Sequence, residues 1–234
     1  MGDIEFLFEA IGGQFLTPAP VIAEKLTDIR AFLFDWDGVF NGGTKGEGLT
    51  SRYSEPDSMG TNLLRFGGWQ RHGTLPVVGI LTALDNPTAV QLARREHFPV
   101  VYFGFKHKEE AFLHFLETYH LQPSQVAFVF DDVIDLSVAR QCGLRFFVSR
   151  PASPLLRRFV TERQLADYGS GNSGGSHAVR EICELILGLQ GRYEATLEAR
   201  IAFHGPYTRY LTERNQTTLH CYTPLNGRIG LVMP

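Results

Sequence analysis

At 234 residues, 44% of them hydrophobic and 20% charged, the chain can bury a sizeable core without disulfides and fits one domain with an extension. A formal net charge of −3 excludes general attraction to nucleic acid or an anionic membrane, so a bound anion needs a local site. Three cysteines without CxxC spacing (Cys142, Cys183, Cys221) argue against a disulfide framework or zinc site, and neither a signal peptide nor a membrane-spanning apolar run is apparent, so a cytoplasmic protein is expected.

Residues 1–28 are mixed in character and read as a leader, with Pro18 and Pro20 separating an apolar patch from a helix over 21–26. Residues 29–34 form an apolar run that stops at Asp35, the pattern of a strand buried on both faces. The glycine-rich stretch 41–55 predicts a small β-hairpin or long loop, and 57–71 a helix. Strand 76–81 ends at Thr82, and a helix over 87–96 leads to a strand over 100–103. In 108–119, Ala111, Phe112, Phe115 and Leu116 recur at helical spacing. Strand 126–130 ends at Asp131 and Asp132. A short helix over 134–141, a strand over 144–148, a Pro/Ser segment, a glycine loop over 169–175 and a helix over 177–189 complete the core. Helix is expected again over 192–200, whereas 204–234 has no clear period and reads as an arm or tail. The division is therefore a leader (1–28), a core (29–190) and a C-terminal arm (191–234).

Strands alternating with helices at this spacing predict an α/β, Rossmann-like three-layer sandwich around a mostly parallel sheet. In such a sheet, ligands collect beyond the carboxyl ends of the strands. The residues predicted to lie there are Asp35, Asp37, Thr82, Asp131, Asp132 and Asp135, with Lys108 at a helix start. Carboxylates packed this closely repel one another unless a cation sits among them, and oxygen-only donors suit Mg2+ rather than zinc. Taken alone, Asp35 and Asp37 are ordinary turn residues, Thr82 a strand-end hydroxyl or helix cap, and one of Asp132 and Asp135 a cap. Their combined order favours catalysis. The histidines lack ligand spacing, and the glycine loop lacks a GxxxxGK[ST] pattern.

FLFDWDGVFNGG resembles the first motif of the haloacid dehalogenase superfamily of phosphatases; Thr82, Lys108 and FVFDDVID resemble the second, third and fourth, in order. The resemblance implies that Asp35 is the nucleophile and Asp37 the general acid and base. It also implies that Mg2+ is held by Asp35, the Asp37 carbonyl and Asp131. Thr82 and Lys108 would hold the phosphoryl group, with Asp132 and Asp135 orienting Lys108 or metal-bound water. DGVFNGG, YSEPDSMGTNLL and GGSHAVREICELIL are similar to the uncapped branch acting on 3-deoxy-D-manno-octulosonate 8-phosphate and nonulosonate 9-phosphates. That branch implies no large cap domain, a small phosphorylated sugar-acid substrate and a homotetramer in which neighbours complete each site. Asp57 and Gly60 match its DGxG-like segment, and Arg180 falls in its closing helix.

Three departures stand out. Ala83 and Leu84 follow Thr82 where the branch has Gly-Arg or Gly-Glu, Phe130 replaces the glycine of GDD, and Ser58 follows Asp57. Phe130 is expected to crowd the metal site. The departures motivate an alternative reading, a catalytically weakened relative acting as a structural or regulatory oligomer.

Overall fold

The computed structural model describes residues 2–46 and 51–233. In chain order the elements are α1 (Gly2–Ala10), β1 (Gln14–Phe15), α2 (Ala19–Lys25), β2 (Ala31–Phe34), α3 (Glu55–His72), β3 (Val77–Leu81) and α4 (Pro87–Glu96). Next come β4 (Val100–Tyr102), α5 (Lys108–Tyr119), β5 (Val126–Phe130), the short α6 (Leu136–Ala139) and β6 (Leu144–Phe147). The chain continues with α7 (Pro154–Glu162), β7 (Tyr168–Gly169), α8 (Ala178–Leu189), α9 (Tyr193–Ala202), α10 (Pro206–Asn215), β8 (His220–Leu225) and β9 (Arg228–Val232).

The strands among the described residues lie in one sheet, ordered β1-β7-β6-β5-β2-β3-β4-β8-β9. The interior pairings from β7 to β8 are parallel; only β1 against β7 and β9 against β8 are antiparallel. β2 is central, with Ala31 paired to Val77 on one side and Val126 on the other. Its four residues are all buried and divide by parity: Phe32 and Phe34 join one core cluster, Ala31 and Leu33 the other. The first cluster includes Ile22 of α2, Leu64 of α3, Leu92 of α4 and Ile182 of α8; the second includes Phe112 of α5, Val138 of α6 and Val160 of α7. A sheet covered on both faces requires continuous apolar strands, and the sequence supplies them.

Local chemistry sets the helix ends. The Ser54 hydroxyl accepts from the Asp57 N–H at 3.1 Å to cap α3, and Gly73 closes that helix in the left-handed conformation at φ 70°. α3 and α8 pack closely, since a Cβ on Gly60 would lie 3.1 Å from the Arg180 Cα. Across the same contact the Arg180 N–H donates to Asp57 Oδ1 at 2.9 Å.

The ends of the chain are more integrated than the sequence suggests. Residues 1–28 supply α1, the edge strand β1 and α2, whose Ala19 and Ile22 are fully buried. Residues 191–234 are not a plain arm: after α9 and α10, β8 runs parallel to β4, and Tyr222 stacks on Tyr102 at 5.1 Å. Tyr207 and Tyr210 of α10 pack on Phe66 of α3. The Pro/Ser segment holds α7, whose Pro154 opens the helix rather than breaking it. No strand forms over 42–46 or 51–54, and the rest of the expected hairpin, 47–50, lies outside the described residues.

Candidate active site

The strand order places β5, β2 and β3 side by side, so Asp131, Asp35 and Thr82 leave three adjacent carboxyl ends. Chain order reverses between β2 and β5, the switch point at which open α/β sheets form their crevice. A cavity of about 350 Å³ opens there, lined by Asp35, Asp37, Lys45, Thr82, Asp131 and Arg150 among others.

The turn after β2 depends on glycine. Gly38 has φ 91°, and a Cβ there would lie 2.0 Å from Asp131 Oδ2. Any other side chain would push the two carboxylate-bearing turns apart. The turn closes through the Gly38 N–H, which donates to the Asn41 carbonyl at 3.0 Å. The Asn41 side chain in turn donates to the Trp36 carbonyl at 3.1 Å.

Lys108, at the start of α5, is buried and donates to Asp35 Oδ1 and Asp135 Oδ1, each at 2.5 Å. Burial works against its charge, but the two carboxylates outweigh that effect and raise its pKa. Burial raises the Asp35 pKa, opposed by Lys108. Asp135 is pushed up to about 7, first by burial and then by the neighbouring Asp35 charge. Asp35, Asp131 and Asp135 each offer an oxygen within 4.8 Å of the others.

Asp37 Oδ2 accepts from Lys45 at 2.5 Å and from Asn86 at 2.9 Å. The same Asn86 amide donates to Thr82 Oγ1 at 2.8 Å, which leaves the threonine proton for another acceptor. Asp131 pairs with Arg150, as does Asp132 at 3.3 Å. Asp132 also caps the turn into residues 133–135 through the Val133 N–H. Asp35, Asp37, Thr82, Lys108, Asp131 and Asp135 therefore meet in one place, and Asp132 lines the same cavity but reaches Arg150 rather than Lys108.

The donor set fits a hard divalent cation. Asp131 Oδ1 and Asp37 Oδ1 are buried without hydrogen-bond partners among the described residues, and a carboxylate oxygen in that condition calls for a cation. Every side-chain donor here is oxygen, as magnesium prefers. Phe130 does not crowd the site: its ring packs in the core on Phe128 at 5.7 Å and Phe147 at 5.5 Å. Ala83 and Leu84 do line the cavity.

Sequence reading missed Lys45, Asn86 and Arg150. Arg150 lies just beyond β6, so the strand-end rule that found Asp131 could have reached it. Asn86 precedes Pro87 at the start of α4, four positions after Thr82, and reads locally as a helix cap. Lys45 carries no signal within its glycine-rich stretch.

No family model matches the chain. It is 31% identical over 178 residues to the 3-deoxy-D-manno-octulosonate 8-phosphate phosphatase KdsC of Yersinia pestis, an alignment covering 74% of this chain and 87% of that one. The crystal structure of the Yersinia pestis phosphatase superposes with a TM-score of 0.62 at 30% identity, covering 74% of this chain and 88% of that one. The Moraxella catarrhalis phosphatase, solved with a magnesium ion, a phosphate ion and a KDO molecule, gives a TM-score of 0.64 at 25% identity, covering 77% and 98%.

Proposed function

The chain belongs to the haloacid dehalogenase superfamily of phosphatases, in the KdsC-like family, and on that footing we propose that it is a magnesium-dependent phosphomonoesterase acting on a small phosphorylated sugar acid of the octulosonate 8-phosphate or nonulosonate 9-phosphate type. The observation carrying this reading is the convergence of Asp35, Thr82 and Asp131 from three adjacent strand ends, with Lys108 bonded to Asp35.

Lys108 occupies Asp35 Oδ1, so Oδ2 is the oxygen left to attack phosphorus. As that P–O bond forms, the bond from phosphorus to the sugar oxygen breaks, and Asp37 gives its proton to the departing oxygen. In the second half Asp37 takes a proton from water, whose oxygen attacks phosphorus and releases Asp35 and inorganic phosphate. Lys108 and the Thr82 hydroxyl balance charge on the phosphoryl oxygens. Asp35, Asp131 and the Asp37 carbonyl would hold magnesium, which supplies further charge neutralisation and fixes the phosphate's orientation. Asp135 keeps Lys108 in place.

A homotetramer would wall in a cavity that no cap covers among the described residues, and the exposed Phe6 and Leu7 of α1 offer apolar surface for assembly. Light scattering tests that state. The three free, buried cysteines suit a reducing cytoplasm. The decisive assay is phosphate release from 3-deoxy-D-manno-octulosonate 8-phosphate and a nonulosonate 9-phosphate with magnesium. Asp35→Asn should lower turnover at least about a thousand-fold. Turnover that survives the substitution would remove Asp35 as nucleophile.

A further inference from the structure

Arg150 belongs to two cavities at once. It lines the one over the carboxylates and an adjoining space of about 440 Å³, lined also by Arg157 and Arg158 of α7, Gln14 and Glu162. Its Nη2 serves Asp131 and Asp132, whereas Nε and Nη1 have no hydrogen-bond partner among the described residues. Arg157 gives one nitrogen to Gln14 at 3.1 Å. Arg158 lies 3.9 Å from Glu162 in an exposed pair, which holds it weakly. Three guanidinium groups thus face one space with a single carboxylate among its lining residues.

The remaining lining of the first cavity has a different character. Leu84, Val133 and Ile134 line it and are exposed there. Lys45, the other rim cation, is tied to Asp37 and Asn86. Among the described residues lining the two cavities, the cations with free hydrogen-bonding nitrogens are Arg150 and its neighbours Arg157 and Arg158, so a substrate with phosphate over Asp35 finds them where the two cavities adjoin. The planar guanidinium fork also matches a carboxylate, to whose two oxygens it donates two parallel bonds.

We propose that the cavity formed by Arg150, Arg157 and Arg158 is the subsite for the carboxylate of the sugar acid whose phosphate lies over Asp35. The assignment rests on the phosphatase reading above and adds the residues that select the substrate.

The test uses the full chain with magnesium and two variants, Arg150→Gln and the double Arg157→Gln/Arg158→Gln. For each, kcat/KM is measured on 3-deoxy-D-manno-octulosonate 8-phosphate and on p-nitrophenyl phosphate, which has no carboxylate. The ratio of the first to the second should fall at least about tenfold in Arg150→Gln, and about threefold through KM in the double variant. An equal fall on both esters in Arg150→Gln would mean that Arg150 only holds Asp131, and would overturn the subsite; so would an unchanged ratio in the double variant. Calorimetric binding of free 3-deoxy-D-manno-octulosonate separates the two readings. If the unaltered chain hydrolyses neither ester yet binds the free acid, with weaker binding in the double variant, the phosphatase reading fails and the subsite stands. If the unaltered chain binds no free acid, or the double variant binds it equally well, the subsite fails.

Discussion

Lys108 and Asp135 form an ion pair of 2.5 Å in which neither side chain is exposed at all. The same ammonium reaches Asp35, so one lysine ties the start of α5 to the turns that follow β2 and β5. A buried pair of this kind is expensive to break, because the remaining charge is stranded in a medium that solvates it poorly.

Replacing Lys108 with methionine should therefore cost about 3–5 kcal/mol of stability. It leaves two carboxylates facing each other without a counter-charge. Adding Asp135→Asn should restore part of the loss. Chemical denaturation of the two single variants and the double one, without magnesium, gives the coupling energy; additive losses would show that the pair contributes none.

Asn86→Ala should lower kcat about 10–100-fold while leaving magnesium affinity nearly unchanged. Its amide holds the Asp37 carboxylate and Thr82 together but touches neither Asp35 nor Asp131 nor the Asp37 carbonyl. Steady-state kinetics beside a calorimetric magnesium titration would show the split.

Magnesium should stabilise the fold. Asp35, Asp131 and Asp135 crowd within 4.8 Å, and an ion among them relieves their repulsion. At a hundred times its dissociation constant, the ion should add about 2.7 kcal/mol, measured as a rise in Tm. A chelator should reverse the gain, and Asp131→Asn should lose most of it.

Asp167 should govern part of the acid stability. It is buried and accepts from Lys25 at 3.0 Å, Arg145 at 2.9 Å and Thr17 at 2.8 Å. Burial raises its pKa, but the bonds from Arg145, Lys25 and Thr17 outweigh that and hold it below the ordinary carboxylate value. In acid the unfolded chain then binds more protons at this group than the folded one does. Its contribution is fully present above the unfolded pKa of about 3.9 and is lost as pH falls through the depressed folded value. Asp167→Asn should destabilise the protein by about 3 kcal/mol at neutral pH. The gap to the unaltered protein should close in melts taken below about pH 4.

The sequence determined the central strands, the long helices and the sheet ends on which chemistry could sit, because buried parallel strands must be apolar and their limits show wherever a charge follows. Asp35, Thr82 and Asp131 were legible for that reason, and Lys108 from its place at a helix start. At the edges the signal was weaker. α7 hid behind a proline that reads as a breaker, and β8 and β9 hid in a segment whose burial is only partial, so no strong period is imposed on it. Only the folded chain decided that Phe130 turns into the core, that Asn86 clasps Asp37 and Thr82, and that Arg150 lies between two cavities. Such relationships depend on which strand lies beside which and on where each side chain points, and a linear pattern records the composition of a strand but not its neighbours.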